Sequence, residues 1–386
     1  MTASPPVLEQ FRIEIQPNGL VHLVFDCPGR TMNVFSDAAI HELGVFAEWL
    51  PLADVKGVLI RSGKDNAFCA GADLTELGVA YDMIMEASPR QRFNVAFDHF
   101  FPLSKAVRAL ETAGKPVAAA IGGIALGGGC ELALGAHYRV LVDSPKIGIG
   151  LPESLVGLLP GAGGTQRLPR LIGLEAALPI LLEGARLSGQ AAVDAGLVHE
   201  LAAAGEEIAR AEAWLLSNPE PLQPWDRPDW KSPSVAAIDT IIAPLRAQAD
   251  PQYPAPIAIL DCVQYGLPQT FEGAIRSEMA IFAHLIQRPE PRNMIQTLFL
   301  GKTDFDRAAR RGELPASIDV IVAAAHSASA GNFDARTLQA ISEAVAPFGQ
   351  GLDSLEKRMA DYAVVSQTGY PAFLGGPFTF LERGFD

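Results

Sequence analysis

Between Lys115 and Gly173 the chain alternates short apolar runs with glycine breaks, and this constrains its local structure more than any other stretch. Behind Pro116, the run Val117-Ala118-Ala119-Ala120-Ile121 reads as a buried strand. It breaks at Gly127-Gly128-Gly129 and restarts as a helix carrying Glu131 in its first turn. Glycines there let backbone pass close to a ligand, since no Cβ obstructs it. The N–H groups that open a helix lack intrahelical partners and favour negative charge beside them. Glu153 follows a Gly-Leu-Pro turn and precedes a second cluster, Gly161-Ala162-Gly163-Gly164. Two donor-rich turns and two acids, 22 residues apart, make a candidate reaction site. Blander roles stand beside it: Glu131 as a helix-opening acid, Glu153 as a solvated turn acid, Gly128 as a packing glycine.

Upstream, Phe11–Gln16 and Leu20–Asp26 read as strands around the turn Pro17-Asn18-Gly19. Ser36 is placed to cap a helix with apolar positions Ile40, Leu43, Phe46, Ala47 and Leu50. Val58–Ile60 is a further buried strand, and Gln91–Ala113 a long amphipathic helix that Pro102 should kink or interrupt. Tyr138–Val142 is another strand. Beyond Glu200 the pattern turns helical, with expected helices at 206–217, 236–249, 256–265, 270–287 and 291–299. A link at 218–233 holds five prolines and should be extended. Residues 304–386 offer three helices and a Gly/Pro/aromatic tail.

With 49% hydrophobic and 19% charged residues, the chain can bury a sizeable core and does not read as disordered. A net charge of −14 disfavours a nucleic-acid surface. The opening MTASPPVLEQ lacks a signal-peptide pattern, and no apolar run is long enough for a membrane span. Cys27, Cys69, Cys130 and Cys262 form no CxxC pair and read as reduced residues of a cytoplasmic protein. No HExxH, GxSxG or strand-linked GxGxxG is found, and Gly301-Lys302-Thr303 lacks the first glycine of a phosphate loop. No metal site is therefore expected.

GGIALGGGCEL, GLPESLVGLLPGAGGTQRLPRLIG and Asn66-Ala67-Phe68-Cys69-Ala70-Gly71-Ala72-Asp73-Leu74 together resemble the crotonase (enoyl-CoA hydratase/isomerase) superfamily. The likeness is greatest to the hydratases and to the hydratase part of multifunctional fatty-acid oxidation proteins. It implies an α/β fold, a crotonase-like spiral of ββα repeats, here with a C-terminal all-helical extension. The expected division is a core over 1–203, a helical region over 204–303, and an extension over 304–386. By resemblance, Glu131 activates water, Glu153 protonates the substrate α-carbon, and the N–H groups of Ala72 and Gly128 form the oxyanion hole. Gly161 would orient the water, and the Ala70 carbonyl would meet the adenine of coenzyme A. Arg30 and Lys64 are candidate phosphate contacts, with solvated surface charge as the alternative.

The resulting expectation is a hydro-lyase acting on 2-enoyl-CoA thioesters, with no cofactor because coenzyme A is part of the substrate. The alternatives are an isomerase of 3-enoyl-CoA, a dual activity, or a non-catalytic scaffold subunit. Partners follow from the resemblance: an acyl-CoA and further copies of the chain in a homo-oligomer such as a trimer. The extension could shape the acyl pocket, replace the usual trimer contacts or dock a dehydrogenase, with a packing tail as the plainer alternative. Neither nucleic acid nor membrane is expected.

Overall fold

The structure, a computed structural model, describes residues 4–329 and 333–383. The expected tail residues 384–386 lie outside the described residues. Strands β1 (Phe11–Ile15) and β2 (Leu20–Phe25) pair antiparallel, with Phe11 opposite Phe25. Helix α1 (Asp37–Trp49) follows, and the Ser36 hydroxyl accepts the Ala39 N–H at 3.2 Å. That cap satisfies one of the unpaired donors at the helix start.

The chain then winds through repeated units. β3 (Gly57–Ser62) leads into β4 (Ala67–Cys69), α2 (Leu74–Glu86) and α3 (Arg92–Glu111). β5 (Val117–Ile121) leads into β6 (Ile124–Leu126) and α4 (Gly128–Gly135). β7 (Tyr138–Val142) leads into β8 (Ile149–Gly150) and α5 (Gly164–Ile172). After α6 (Leu174–Glu183), β9 (Arg186–Leu187) and α7 (Gly189–Asp194) comes β10 (Glu200–Ala202). The first strand of each unit joins a six-stranded sheet ordered β1-β2-β3-β5-β7-β10, parallel from β2 onward. The second joins a four-stranded sheet ordered β4-β6-β8-β9. This two-sheet winding is the spiral of ββα repeats.

Helix α8 (Glu207–Leu216) lays Ala211 and Leu215 on the large sheet, against Leu20, Leu59, Ala118 and Val140. Each large aliphatic side chain buried this way contributes roughly 1.5–3 kcal/mol. The proline link is not merely extended. Its Gln223 amide donates to the carbonyls of Leu134, Gly135 and Ala136 at 3.2–3.4 Å, closing the C-terminal end of α4. Trp225 stacks on Phe271 at 4.9 Å. Pro102 does not interrupt α3, which runs through it from Arg92 to Glu111. Packing of α3 against α1 and α11 offsets the lost N–H. Helices α9 (Val235–Gln248), α10 (Pro254–Gly266) and α11 (Phe271–Leu285) follow.

The chain divides into two compact units: Met1–Leu155, Leu159–Ala249 and Pro256–Gln287 form the first, and Val156–Leu158, Asp250–Ala255 and Arg288–Asp386 the second. The second is helical: α12 (Pro289–Met294), a π-helical turn (Ile295–Gly301), α13 (Lys302–Arg311), α14 (Ser317–Ala328), α15 (Ala335–Val345), α16 (Ser354–Thr368) and α17 (Pro377–Arg383). It has its own core, including Ile321, Ile341, Val345, Met359, Val364 and Phe378. Part of the expected aromatic tail therefore folds as α17. Asp361 anchors that helix by accepting the Phe378 and Thr379 N–H groups at 2.8 and 3.0 Å. Among the described residues, no helix is long and apolar enough to cross a membrane.

Candidate active site

The glycine break after β6 turns the chain sharply. Gly127 has φ +53°, and a Cβ there would lie 2.7 Å from the Glu153 Oε1. Glycine is thus required twice over, for the dihedral and for the approach of the acid. Gly128 opens α4, with Phe35 and Leu103 against it. On the neighbouring segment, Phe35 and Ala72 form a parallel bridge, in which Phe35 N–H bonds the Gly71 carbonyl and Asp73 N–H bonds the Phe35 carbonyl. The Ala72 N–H is not part of that pairing. Gly71 packs against Leu126 and Gly127, so the two expected oxyanion-hole residues belong to touching segments.

Glu131, one turn into α4, is 2% exposed. Its Oε1 accepts the N–H groups of Ala162 and Gly164, each at 2.7 Å, which leaves Oε2 outside this grip. Burial pushes the carboxyl up to about 7, although both donors and the Arg167 guanidinium pull the other way. Glu153 lies in the 3-10 turn Pro152–Val156. Its Oε2 is enclosed and has no hydrogen-bond partner among the described residues. Burial, followed by the charge on Glu131, raises its carboxyl well above the ordinary range. Both acids are thus pushed toward their protonated forms, and the charge of Glu131 adds to the push on Glu153.

A third acid, which sequence reasoning missed, completes the cluster. Glu278 on α11 is fully buried and accepts the Gly163 N–H at 2.7 Å, the Thr165 N–H at 3.1 Å and the Thr165 hydroxyl. Burial and the facing Glu131 raise it to about 8. The signal was a lone acid on an apolar stripe: Ala274, Glu278 and Phe282 recur four apart, and all are buried. Gly164 and Thr165 open α5, so both acids sit at a helix N-terminus whose free donors favour their ionised forms.

Arg167 secures the turn from behind, donating to the Ala162 carbonyl at 2.8 Å and pairing with the buried Glu111 at 3.1 Å. Gly161, the expected water-orienting residue, packs against Phe282. Ala70 is half-buried, and its N–H bonds the Asn33 carbonyl at 2.9 Å. The two candidate phosphate contacts are occupied by acids: Lys64 meets Asp26 at 2.6 Å, and Arg30 meets Asp73 at 2.5 Å. All four cysteines are buried and unbridged. Among the described residues, no group of three or more His, Cys, Asp or Glu side chains is arranged to hold a metal ion.

Comparison with known proteins places the chain in a family. The family described as enoyl-CoA hydratase/isomerase matches residues 16–218. The fatty acid oxidation complex subunit alpha of Shewanella amazonensis is 32% identical over 316 residues, covering 78% of this chain and 42% of that protein. The same subunit of Idiomarina loihiensis is 33% identical over 305 residues, covering 75% of this chain and 40% of that protein. The chain thus spans about two-fifths of the length of these curated relatives. The enoyl-CoA hydratase of Bacillus halodurans, 18% identical, superimposes with a TM-score of 0.55 over 75% of this chain and 99% of its own. At that identity the likeness speaks for the fold.

Proposed function

Because this chain belongs to the enoyl-CoA hydratase/isomerase family, we propose that it hydrates 2-enoyl-CoA thioesters, with Glu131 and Glu153 as its two acids. The supporting observation is their division of labour. Glu131 is held through one oxygen by two N–H donors, whereas Glu153 has an enclosed, unpartnered oxygen, and burial beside Glu131 favours its protonated form. Ionised Glu131 takes a proton from water as the water oxygen bonds to the β-carbon. The π electrons move toward the thioester oxygen, and the α-carbon takes the Glu153 proton. Return of the proton from Glu131 to Glu153 resets the site.

Negative charge building on the thioester oxygen falls to the N–H groups of Ala72 and Gly128, each such donor contributing ~3–4 kcal/mol in the transition state. The Gly161 N–H would orient the water. The Ala70 carbonyl would take the adenine amino group, and Arg30 or Lys64 could reach a phosphate only by leaving its present acid. The reaction uses no cofactor, since coenzyme A arrives with the substrate. Assembly as a homo-oligomer such as a trimer, a dehydrogenase partner and a cytoplasmic setting belong to the same proposal. The relatives are named as subunits of a fatty acid oxidation complex, which supports assembly with other chains.

The test is loss of conjugated-thioester absorbance with crotonyl-CoA and a longer 2-enoyl-CoA, comparing wild type with Glu131→Gln and Glu153→Gln. Hydration by wild type, lost in both variants, supports the proposal. Turnover of 3-enoyl-CoA alone would make the chain an isomerase, and failure to bind any acyl-CoA would make it a scaffold.

A further inference from the structure

We propose that Glu278 is a positioning residue for the water-activating acid: by holding Gly163 and Thr165, it fixes the turn whose intervening N–H groups grip Glu131. The inference rests on hydration by Glu131 and Glu153 as proposed above. Its basis is an alternation along four residues. The N–H groups of Ala162 and Gly164 go to Glu131, and those of Gly163 and Thr165 go to Glu278. Neither acid can shift without moving the donors of the other.

An acid on a core stripe pays for desolvation, and a methionine or leucine would pack there without that cost. The nearby cations Arg167 and Arg170 act on its charge, but their hydrogen bonds go elsewhere: Arg167 pairs with Glu111, and Arg170 donates to Gln166 and the Gly266 carbonyl. The hydrogen bonds Glu278 accepts come from the turn, and the Thr165 hydroxyl is oriented toward it because Gln166 Nε2 donates to that oxygen at 2.9 Å.

The charged and titratable groups around Glu278 define what its removal should do. They are Glu131 on α4, Glu153 on the 3-10 turn, Arg167 and Arg170 on α5, and Cys262 on α10; α3 supplies Glu111, which is taken by Arg167. Burial raises all three carboxyls, and the charges of Glu131 and Glu278 both act to keep the Glu153 proton in place. A glutamine at 278 offers one acceptor to three donors, so the turn loosens and the N–H groups that hold Glu131 are no longer fixed. It also withdraws the second charge, so Glu153 loses its proton sooner.

The experiment is the pH profile of crotonyl-CoA hydration for wild type, Glu131→Gln, Glu278→Gln and Thr165→Val, with thermal melts as a fold control. For Glu278→Gln, kcat should fall roughly 10–100-fold while KM stays within about threefold. Both limbs of the bell should move, the alkaline limb to lower pH because the charge of Glu278 no longer acts on Glu153. Thr165→Val removes one donor while keeping that charge, and should displace the acid limb with a loss of roughly 3–10-fold. A folded Glu278→Gln with wild-type rate, or with reduced rate and unmoved limbs, overturns the proposal. If Glu278→Gln does not fold, an unmoved acid limb in Thr165→Val overturns it equally. If wild type hydrates nothing, the functional reading fails instead. A carboxyl NMR titration of glutamate-labelled protein then decides the structural claim: the Glu131 titration must be displaced in Glu278→Gln.

Discussion

The Glu131 Oε1 lies 2.7 Å from the backbone nitrogen of Gly164, across 33 residues of chain. A Cβ at Gly164 would fall 2.8 Å from that same oxygen, so the contact exists only because residue 164 has no side chain. Replacing Glu131 by glutamine halves its acceptor capacity where two N–H donors converge and removes the base. The expected loss in kcat is ~10²–10⁴-fold with a near-constant KM, read from initial rates on crotonyl-CoA.

Gly127 supports the other acid by leaving room for it. Gly127→Ala forces a side chain into φ +53° and into the Glu153 carboxylate. Backbone strain of about 1–3 kcal/mol and a displaced acid should follow. Melting should shift down, and hydration should fall by about 10²-fold because Glu153 moves off its line to the α-carbon. Unchanged kcat in a folded Gly127→Ala protein would refute this placement of Glu153.

Behind the turn, Arg167 and Glu111 are both fully buried and 3.1 Å apart. Removing one partner strands the other in the interior. Glu111→Ala should therefore destabilise the first unit by about 3–5 kcal/mol, measured as a lowered urea midpoint. The double change to well-packed apolar residues should recover much of that loss.

Asp361 gives the second unit a pH dependence of its own. Burial raises its carboxyl to about 7 from an unfolded value of 3.8. Below the unfolded value both states hold the proton, and nothing is lost. Between about 4 and about 7 the unfolded chain ionises first, so stability falls as pH rises and levels off above the folded value, by a few kcal/mol in order of magnitude. In urea titrations, Asp361→Asn should consequently cost less at pH about 8 than at pH about 5.

Much of the frame was legible from local pattern. Val117–Ile121 and Tyr138–Val142 are bounded by proline, glycine and charged residues, and they fold as strands with those limits. The small sheet was not legible: β8 and β9 are two residues each, too short for periodicity, and only pairing across the chain defines them. That α3 would continue through Pro102 was not legible, because propensity argues locally, whereas α3 is held by its neighbours. Glu131 and Glu153 stood inside glycine motifs and could be read by resemblance. Glu278 lies 115 residues from the glycine whose N–H it accepts, so no window of sequence connects them.

The alternating turn obeys a counting rule. Because both acids are held through backbone N–H groups at 162, 163 and 164, the grip depends on the parity of backbone positions, with glycine at 163 and 164 leaving room for it. A single inserted or deleted residue ahead of Gly163 would leave the two carboxylates facing each other's donors. Exchanging Ala162 for serine would preserve the count, whereas any change of length would break it.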